Sequence, residues 1–137
     1  MISRFFRRRR PAAVAGESAA DRAGRLFDAG MNCAQSVLQA TTGTEDRQLL
    51  AMADAFGCGI GGSRCLCGAV SGGVMALGLE GKQKRAARLV RAFKERNKVT
   101  CCSALSRPYQ WNSKEHRANC RRITAEAAEV VERLLRG

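Results

Sequence analysis

Seven cysteines are the residues of this chain whose side chains could carry out redox or metal chemistry: Cys33, Cys58, Cys65, Cys67, Cys101, Cys102 and Cys120. None of them belongs to a CxxC pair. Thiolate is the form of cysteine that binds metals, attacks disulfides and becomes oxidised. Cys33 and Cys67 both follow turn-forming residues and open predicted helices, where the positive end of the helix dipole favours thiolate. The sequence therefore indicates a protein built around sulfur chemistry.

The composition indicates one domain that does not depend on disulfides. A chain of 137 residues can bury a core of its own. Its cysteine content is below the ~8–10% typical of disulfide scaffolds, and an odd number of thiols cannot all pair within the chain. The first sixteen residues, MISRFFRRRRPAAVAG, contain no apolar run of signal-peptide or transmembrane length. We therefore expect a reducing cytoplasm, where clustered cysteines usually indicate metal or redox chemistry.

The chain is strongly basic, with a formal net charge of +12. Residues 1–16 are predicted to form a flexible basic tail, and residues 17–137 the redox-active cysteine domain. A second basic block extends from Lys82 to Lys98. Such charge could attract nucleic acid or an anionic membrane surface. A solvated tail and a solvated helix face are the simpler interpretation.

Hydrophobic periodicity predicts six helices, over residues 19–29, 33–40, 45–56, 68–79, 82–97 and 113–136. Ser18, Asn32 and Thr44 are the expected N-caps of the first three. No segment alternates between apolar and polar residues with the period of a strand, and runs of β-branched and aromatic residues are missing. The sequence therefore predicts an all-α fold.

The predicted helix over residues 68–79 is small and apolar on every side. A helix without a polar face is buried. Its glycines at positions 72 and 73 lower helix propensity, but they let a neighbouring element or a cofactor approach closely. We therefore expect a compact multi-helix bundle around this Gly/Ala-rich central helix.

Four of the cysteines are predicted to converge at one buried place, because each is adjacent to apolar positions of its element: Cys33, Cys67, Cys102 and Cys120. Cys58 and Cys65 lie in the Gly-rich loop 57–66, where they could be extra ligands, a resolving thiol pair or exposed bystanders. His116 lies one turn before Cys120, so it could be a ligand or a proton donor. An exposed helical histidine is the simpler interpretation.

The segments NCAQSVL, FGCGIGGSRCLCGAVSGGVMALGL and CSAL, followed by a cysteine that opens a C-terminal helix, resemble the C_GCAxxG_C_C family of redox-active proteins. The resemblance covers roughly residues 18–136. It maps the four family cysteines onto Cys33, Cys67, Cys102 and Cys120. Cys58 and Cys65 stand where the family usually has other residues, and Cys101 precedes the matched position.

The resemblance also implies a cofactor, because the family looks related to the cluster-binding part of split-Soret cytochromes. The leading hypothesis is an iron–sulfur cluster, of the [2Fe–2S] type, held by the four family cysteines. Gly68 and Gly72 would let the backbone approach the cluster. The expected role is one-electron transfer or redox sensing with a partner protein, and the protein could act as a homodimer. The chain contains no CxxCH, so covalently attached c-type haem is not supported.

Three alternatives remain open on the sequence. The first is a metal-free thiol–disulfide protein with Cys33 or Cys67 as the attacking thiol and Cys65, Cys102 or Cys120 as the resolving thiol. The second is a structural zinc site, although zinc ligands usually come in closely spaced pairs. The third is nucleic-acid binding through the basic segments, which rests on charge alone.

Overall fold

The computed structural model describes residues 16–137, which fold into seven α-helices. These are α1 (Ala19–Asp28), α2 (Cys33–Thr42), α3 (Arg47–Asp54), α4 (Gly68–Leu79), α5 (Ala86–Asn97), α6 (Cys102–Ser106) and α7 (Lys114–Arg136). Within this part of the chain the β structure is limited to an isolated antiparallel bridge between Leu66 and Cys101. The predicted all-α class is therefore confirmed. The predicted tail lies, apart from Gly16, outside the described residues.

Two of the three N-caps expected from the sequence are confirmed. The side chains of Ser18 and Asn32 accept backbone N–H groups at the starts of α1 and α2. The predicted start of α3 is wrong, because Asp46 rather than Thr44 is the N-cap. The Asp46 carboxylate accepts the N–H groups of Gln48 and Leu49, and a carboxylate is a stronger acceptor there than a hydroxyl.

Two differences from the predicted helices lie around the basic block. The expected helix over 82–97 is divided into a 3₁₀ turn, Gln83–Arg85, and the α-helix α5. Helix α6 was not predicted at all. It has only five residues, which is too few for a helical period to appear in the sequence.

Helices α2 and α4 form the centre of the bundle and cross at very short range. An added Cβ at Gly72 would lie 2.8 Å from the Cα of Ala34, and closer still to the Ala34 carbonyl oxygen. At Gly68 it would lie 3.3 Å from the Cβ of Cys33. Because these glycines are four residues apart, they form one flat strip on the face of α4 that meets α2. The expected close approach at Gly72 is thus an approach of a neighbouring helix.

The predicted burial of α4 holds for its first two turns and not for its whole length. Every residue from Gly68 to Gly73 is buried, as are Ala76 and Leu77. Val74 and Leu79 are 37% and 47% exposed, because the second half of the helix extends to the surface. The Gly/Ala-rich part is therefore the central part of the bundle.

The long helix α7 closes the core as its apolar stripe predicts. Ile123, Ala127, Val130 and Val131 are buried in the same cluster as α2 and α4. On α5, Leu89 and Phe93 face this core. The basic side chains of α5 that point to solvent are Lys84, Arg88, Arg91, Lys94, Arg96 and Lys98, counting those of the adjoining turns. Among residues 16–137, no helix is both long enough and apolar enough to cross a bilayer.

The α2–α4 crossing predicts a large cost for a single methyl group at Gly72. Gly72→Ala should lower the free energy of unfolding by about 3 kcal/mol, because the new Cβ overlaps backbone atoms of Ala34 that cannot move aside as a side chain would. Urea unfolding of the reduced, metal-free protein, followed by circular dichroism, measures this loss.

Gly78 of the same helix is the matched control. An added Cβ there meets nothing within 4 Å, and the residue is exposed. Gly78→Ala should leave stability unchanged or raise it by up to ~1 kcal/mol, because alanine is the better helix former. Equal effects of the two substitutions would contradict the proposed role of the crossing.

Candidate functional site

Cys33 is the first residue of α2, where a capping box fixes the chain. The Asn32 side chain accepts the N–H of Gln35 at 2.9 Å, and the Gln35 side chain accepts the N–H of Asn32 at 3.2 Å. The Asn32 amide also donates to the Asp54 carbonyl at 3.0 Å. These contacts hold the start of α2 against the end of α3 and keep Cys33 half-buried beside the start of α4.

Cys67 and Cys102 are brought together by the bridge between Leu66 and Cys101. The N–H of Cys67 donates to the Thr100 carbonyl at 2.8 Å, and the N–H of Cys102 donates to the Cys65 carbonyl. Side chains of an extended segment alternate between two faces. Cys67 and Cys102 therefore lie on the face opposite to that of Leu66 and Cys101. The Cys101 sulfur instead lies 3.0 Å from the Ser103 hydroxyl.

These elements enclose a cavity of about 210 Å³ that is rich in sulfur. Its lining includes the four cysteines predicted to converge, and also Cys58: Cys33, Cys58, Cys67, Cys102 and Cys120. Gly68 lines the same cavity, whereas Gly72 faces Ala34 of helix α2. The structure thus brings the predicted thiols together. Their role as metal ligands, and the cofactor contacts of both glycines, stay predictions.

Cys58 reaches the cavity from a loop with an unusual backbone. Residues 58–62 all have positive φ, between 50° and 76°. Glycine adopts this conformation freely, but Cys58 and Ile60 adopt it at a cost of roughly 1–2 kcal/mol each. Cys65, in the same loop, is exposed and does not line the cavity. Both loop thiols are therefore exposed, and of the two Cys58 is the one that lines the cavity.

Cys33 and Cys120 are the two thiols whose interaction most strongly changes a thiol pKa at the cavity. The Cys120 side chain hydrogen-bonds Cys33 and, against the opposing effect of burial, lowers the pKa of Cys33 to about 7. Thr124 and the N–H of Cys33 itself add smaller effects in the same direction. The same partnership raises the pKa of Cys120, because a thiol that donates to a neighbouring thiolate holds its proton. Near neutral pH, Cys33 is thus the thiolate of the pair and Cys120 the thiol.

The expectation of a thiolate at Cys67 is wrong for the metal-free protein. Cys67 is the N-cap of α4, but its sulfur accepts no capping hydrogen bond, and the N–H of Val70 donates to the Cys67 carbonyl oxygen instead. The nearby N–H groups of Ala69 and Val70 still favour the thiolate and act to lower its pKa. Burial has the larger effect, and it raises the pKa of Cys67 to about 12. The pKa values of Cys102 and Cys58 are raised by burial as well. A helix N-terminus favours a thiolate, whereas burial disfavours any charged sulfur, and at Cys67 burial is the larger effect.

His116 is buried rather than exposed, contrary to the simpler interpretation of the sequence. It is 6% exposed and lies against the cavity. Its Nδ1 accepts the N–H of Asn112 at 2.9 Å, and its Nε2 lies 3.0 Å from Ser106 Oγ and 3.5 Å from Cys120 Sγ. Burial and the charge of Arg64 lower its pKa, so the imidazole is neutral at pH 7.

Ser106 is a site residue that no sequence pattern indicated. It is buried, it lies four residues after Cys102 on α6, and its hydroxyl opposes the burial that raises the pKa of Cys102. The spacing of four residues was the available signal, but it has meaning only once α6 is known to be a helix. His116 carried the same signal relative to Cys120 on the predicted helix α7.

Trp111 covers one side of the cavity and connects it to the Gly-rich loop. Its ring lies 4.4 Å from that of His116, measured between ring centroids. The Arg64 guanidinium lies 3.9 Å above the Trp111 ring, within the range of a cation–π contact. The loop that carries Cys58 is therefore fastened to the wall that carries His116.

The chemistry of the donor set is that of a soft, thiolate-binding site, since sulfur is the dominant metal-ligating atom around the cavity. As the side chains stand, residues 16–137 contain no group of three His, Cys, Asp or Glu side chains arranged to hold a metal ion. The sulfurs thus share one cavity without pointing at one centre.

Comparison with known proteins gives one match. A family model described as "Putative redox-active protein (C_GCAxxG_C_C)" matches residues 31–134, which include all seven cysteines. No curated protein and no solved structure matches the chain.

The pKa difference between Cys33 and Cys67 predicts how each thiol reacts in reduced, metal-free protein. Alkylation of Cys33 by iodoacetamide should accelerate as the pH rises through about 7 and then level off, because the thiolate is the reactive form. Cys67, with a pKa of about 12, should stay unmodified between pH 6 and 9. Peptide mass spectrometry after timed labelling measures both rates.

Two variants test the cause of the low Cys33 pKa. Cys120→Ala removes the donor to Cys33, so the midpoint should move up toward the ordinary thiol value of 9.0. Cys65→Ala, at an exposed thiol outside the cavity, should leave it near 7. A midpoint near 9 in the unsubstituted protein would contradict the assignment of Cys33 as the thiolate.

Proposed function

The chain belongs to the C_GCAxxG_C_C family of redox-active proteins, and from this premise we propose that its cavity is the redox centre and holds an iron–sulfur cluster. The ligands in this proposal are Cys33, Cys67, Cys102 and Cys120. The protein would transfer single electrons, or sense redox state, in a reducing cytoplasm. Its counterpart would be a redox protein rather than a small-molecule substrate.

One observation carries the proposal: four thiols from four separate helices line one cavity. A single buried cysteine is commonly a small apolar core residue. Four such residues from four segments would spread over a core if packing alone placed them. Their convergence beside Cys58, on an otherwise mostly apolar wall, is what a thiolate-ligated centre requires.

The residues present fit such a centre in their chemistry. Cysteine thiolates are the usual ligands of iron–sulfur clusters, commonly four for each cluster. The N–H groups at the start of α2 and α4 favour the thiolate forms of Cys33 and Cys67, and nearby donors of this kind tune a centre's potential. When bound, the cluster would supply a one-electron couple. Binding requires rotation of the cysteine side chains toward the middle of the cavity, since no three of the described ligand-type side chains are yet arranged around one point.

The protein's own residues would bind the centre, limit its contact with water and position its ligands. Trp111 and His116 cover one wall, and the loop held by Arg64 covers the mouth at Cys58. Such a centre would lie between the buried Cys67 and the exposed Cys58, and so close to the protein surface. This arrangement favours electron exchange with a partner over turnover of a substrate.

Metal analysis tests the proposal. Protein purified or reconstituted under anaerobic conditions should contain iron and acid-labile sulfide and show charge-transfer absorption in the visible range. Cys67→Ser and Cys120→Ser should each lose at least half of the iron, because each removes one proposed ligand. Cys65→Ser, at the exposed loop thiol, is the matched control and should keep the full content.

Three results would refute the iron–sulfur proposal. These are an absence of iron and sulfide after reconstitution, equal iron content in the ligand variants and the control, or zinc without sulfide. The last of these would support the structural zinc alternative instead.

A second candidate is favoured by the interaction between Cys120 and Cys33. In metal-free protein this pair could act as a dithiol. The Cys33 thiolate would attack glutathione disulfide and release one glutathione, and Cys120 would then attack the mixed disulfide at Cys33 and release the second. One disulfide bond breaks and one forms, and glutathione disulfide takes two electrons from the protein thiols to become two molecules of reduced glutathione.

The dithiol candidate predicts one specific bond. After treatment of metal-free protein with glutathione disulfide, peptide mapping should find a disulfide between Cys33 and Cys120, with Cys67 still reduced. In Cys120→Ser, Cys33 should stay as a mixed disulfide with glutathione, because the resolving thiol is absent. Formation of other pairs, or no loss of free thiols, would exclude this candidate.

A further inference from the structure

His116 is a buried polar side chain that contacts the thiols of the cavity at Cys120. It is 6% exposed and is held on two sides, by the backbone of Asn112 and by the Trp111 ring. Its remaining polar atom, Nε2, faces the cavity. The contacts of this one atom decide what His116 can do for the site.

The hydrogen bond from Asn112 fixes the tautomer of the imidazole. A backbone N–H can only donate, so Nδ1 must offer its lone pair and cannot carry a proton. A neutral imidazole has one N–H, which must then be on Nε2. A cationic ring is excluded by the same contact, since both of its nitrogens would be donors. His116 is therefore held by its neighbours as an Nε2–H donor.

The proton on Nε2 has two acceptors at the cavity. Ser106 Oγ lies at 3.0 Å and Cys120 Sγ at 3.5 Å. Ser106 stands one helical turn after Cys102 on α6, and its hydroxyl opposes the burial that raises the pKa of Cys102. One imidazole thus contacts the Cys120 sulfur directly and also the hydroxyl group that neighbours Cys102.

We propose that His116 is a positioning residue that stabilises the reduced, electron-rich form of the redox centre by donating a hydrogen bond to Cys120. This inference rests on the proposed function, because it takes Cys120 as a member of that centre. Hydrogen bonds to sulfur favour the reduced state of either a metal centre or a dithiol, since they compensate negative charge on the sulfur. His116 therefore raises the reduction potential.

The same geometry argues against His116 as a metal ligand. Coordination through Nε2 needs a lone pair there, so the proton would have to move to Nδ1. Nδ1 faces the N–H of Asn112, and two donors cannot face each other at 2.9 Å. The imidazole is thus arranged to donate to the sulfur ligands, and not to replace one of them.

The tautomer is tested first, on the full-length, reduced and metal-free protein. Long-range ¹H–¹⁵N NMR at pH 7.5 resolves His116 alone, because the chain has one histidine. The expected pattern is that of a neutral ring protonated at Nε2. A ring protonated at Nδ1, or an equal mixture of tautomers, would overturn the proposal.

The effect on potential is tested with two substitutions. His116→Phe keeps a ring against Trp111 and removes the donor, so the equilibrium with glutathione should move about tenfold toward the oxidised form, or ~30 mV for two electrons. His116→Gln keeps an amide N–H donor and should restore most of this loss. Thermal unfolding checks that both variants fold, and if His116→Phe does not, the glutamine variant and the tautomer still decide. Equal potentials in all three proteins, or equal losses in both variants, would overturn the proposal.

These measurements separate failure of the inference from failure of the proposed function. If the protein forms no Cys33–Cys120 disulfide, the potential is measured on iron-loaded protein, where His116→Phe should again lower it. If the iron-containing protein and its His116→Phe variant have the same potential, the inference is refuted and the proposed function is left intact. Protein that holds no iron and forms no disulfide refutes the proposed function, and with it any role of His116 in a redox centre, whichever tautomer is found.

Discussion

The close crossing of α2 and α4 is the contact on which the rest of this structure depends. Gly68 and Gly72 present bare backbone to Cys33 and Ala34, so the two helices approach more closely than any side chain would permit. Because the contact lies at the start of both helices, it also brings their N-terminal cysteines to the same place. Without it, Cys33 and Cys67 would be held apart by the width of a side-chain layer. The Gly-rich start of α4 is thus a requirement of the site as much as of the core.

The same crossing explains why two thiols in similar positions behave differently. Cys33 and Cys67 both stand at helix N-termini, where nearby N–H groups favour the thiolate of each. Cys67 is buried by the crossing and has no side-chain donor, so removal from water determines its pKa. Cys33 has the thiol of Cys120 as a neighbour, which α7 supplies. A site with one thiolate and several protonated thiols is therefore a product of packing, since the helix dipole alone would treat both cysteines alike.

The remaining thiols are sorted by local backbone geometry. The bridge at Leu66 and Cys101 sends Cys67 and Cys102 to the cavity and Cys101 to the other side. The left-handed turn over residues 58–62 places Cys58 at the cavity, whereas Cys65, also exposed, does not line it. Behind the sulfurs, His116 and Ser106 supply the polar contacts that an apolar cavity would otherwise lack. The family membership indicates a redox-active protein, and the proposed redox centre is the cavity that these thiols line.

The sequence by itself determined the all-α class, the bounds of α4, the caps at Ser18 and Asn32, and the inward direction of Cys33 and Cys120. These follow from periodicity and capping, which are local properties of neighbouring residues. The tertiary structure alone decided the pKa order of the thiols, the burial of His116, its hydrogen bond with Ser106 and the position of Cys58 at the cavity. Each of these depends on atoms far apart in the chain, such as the Arg64 side chain over Trp111 or the Cys120 thiol beside Cys33. Local patterns specify which face of a helix is buried, whereas the charge state of a buried sulfur depends on what lies opposite that face.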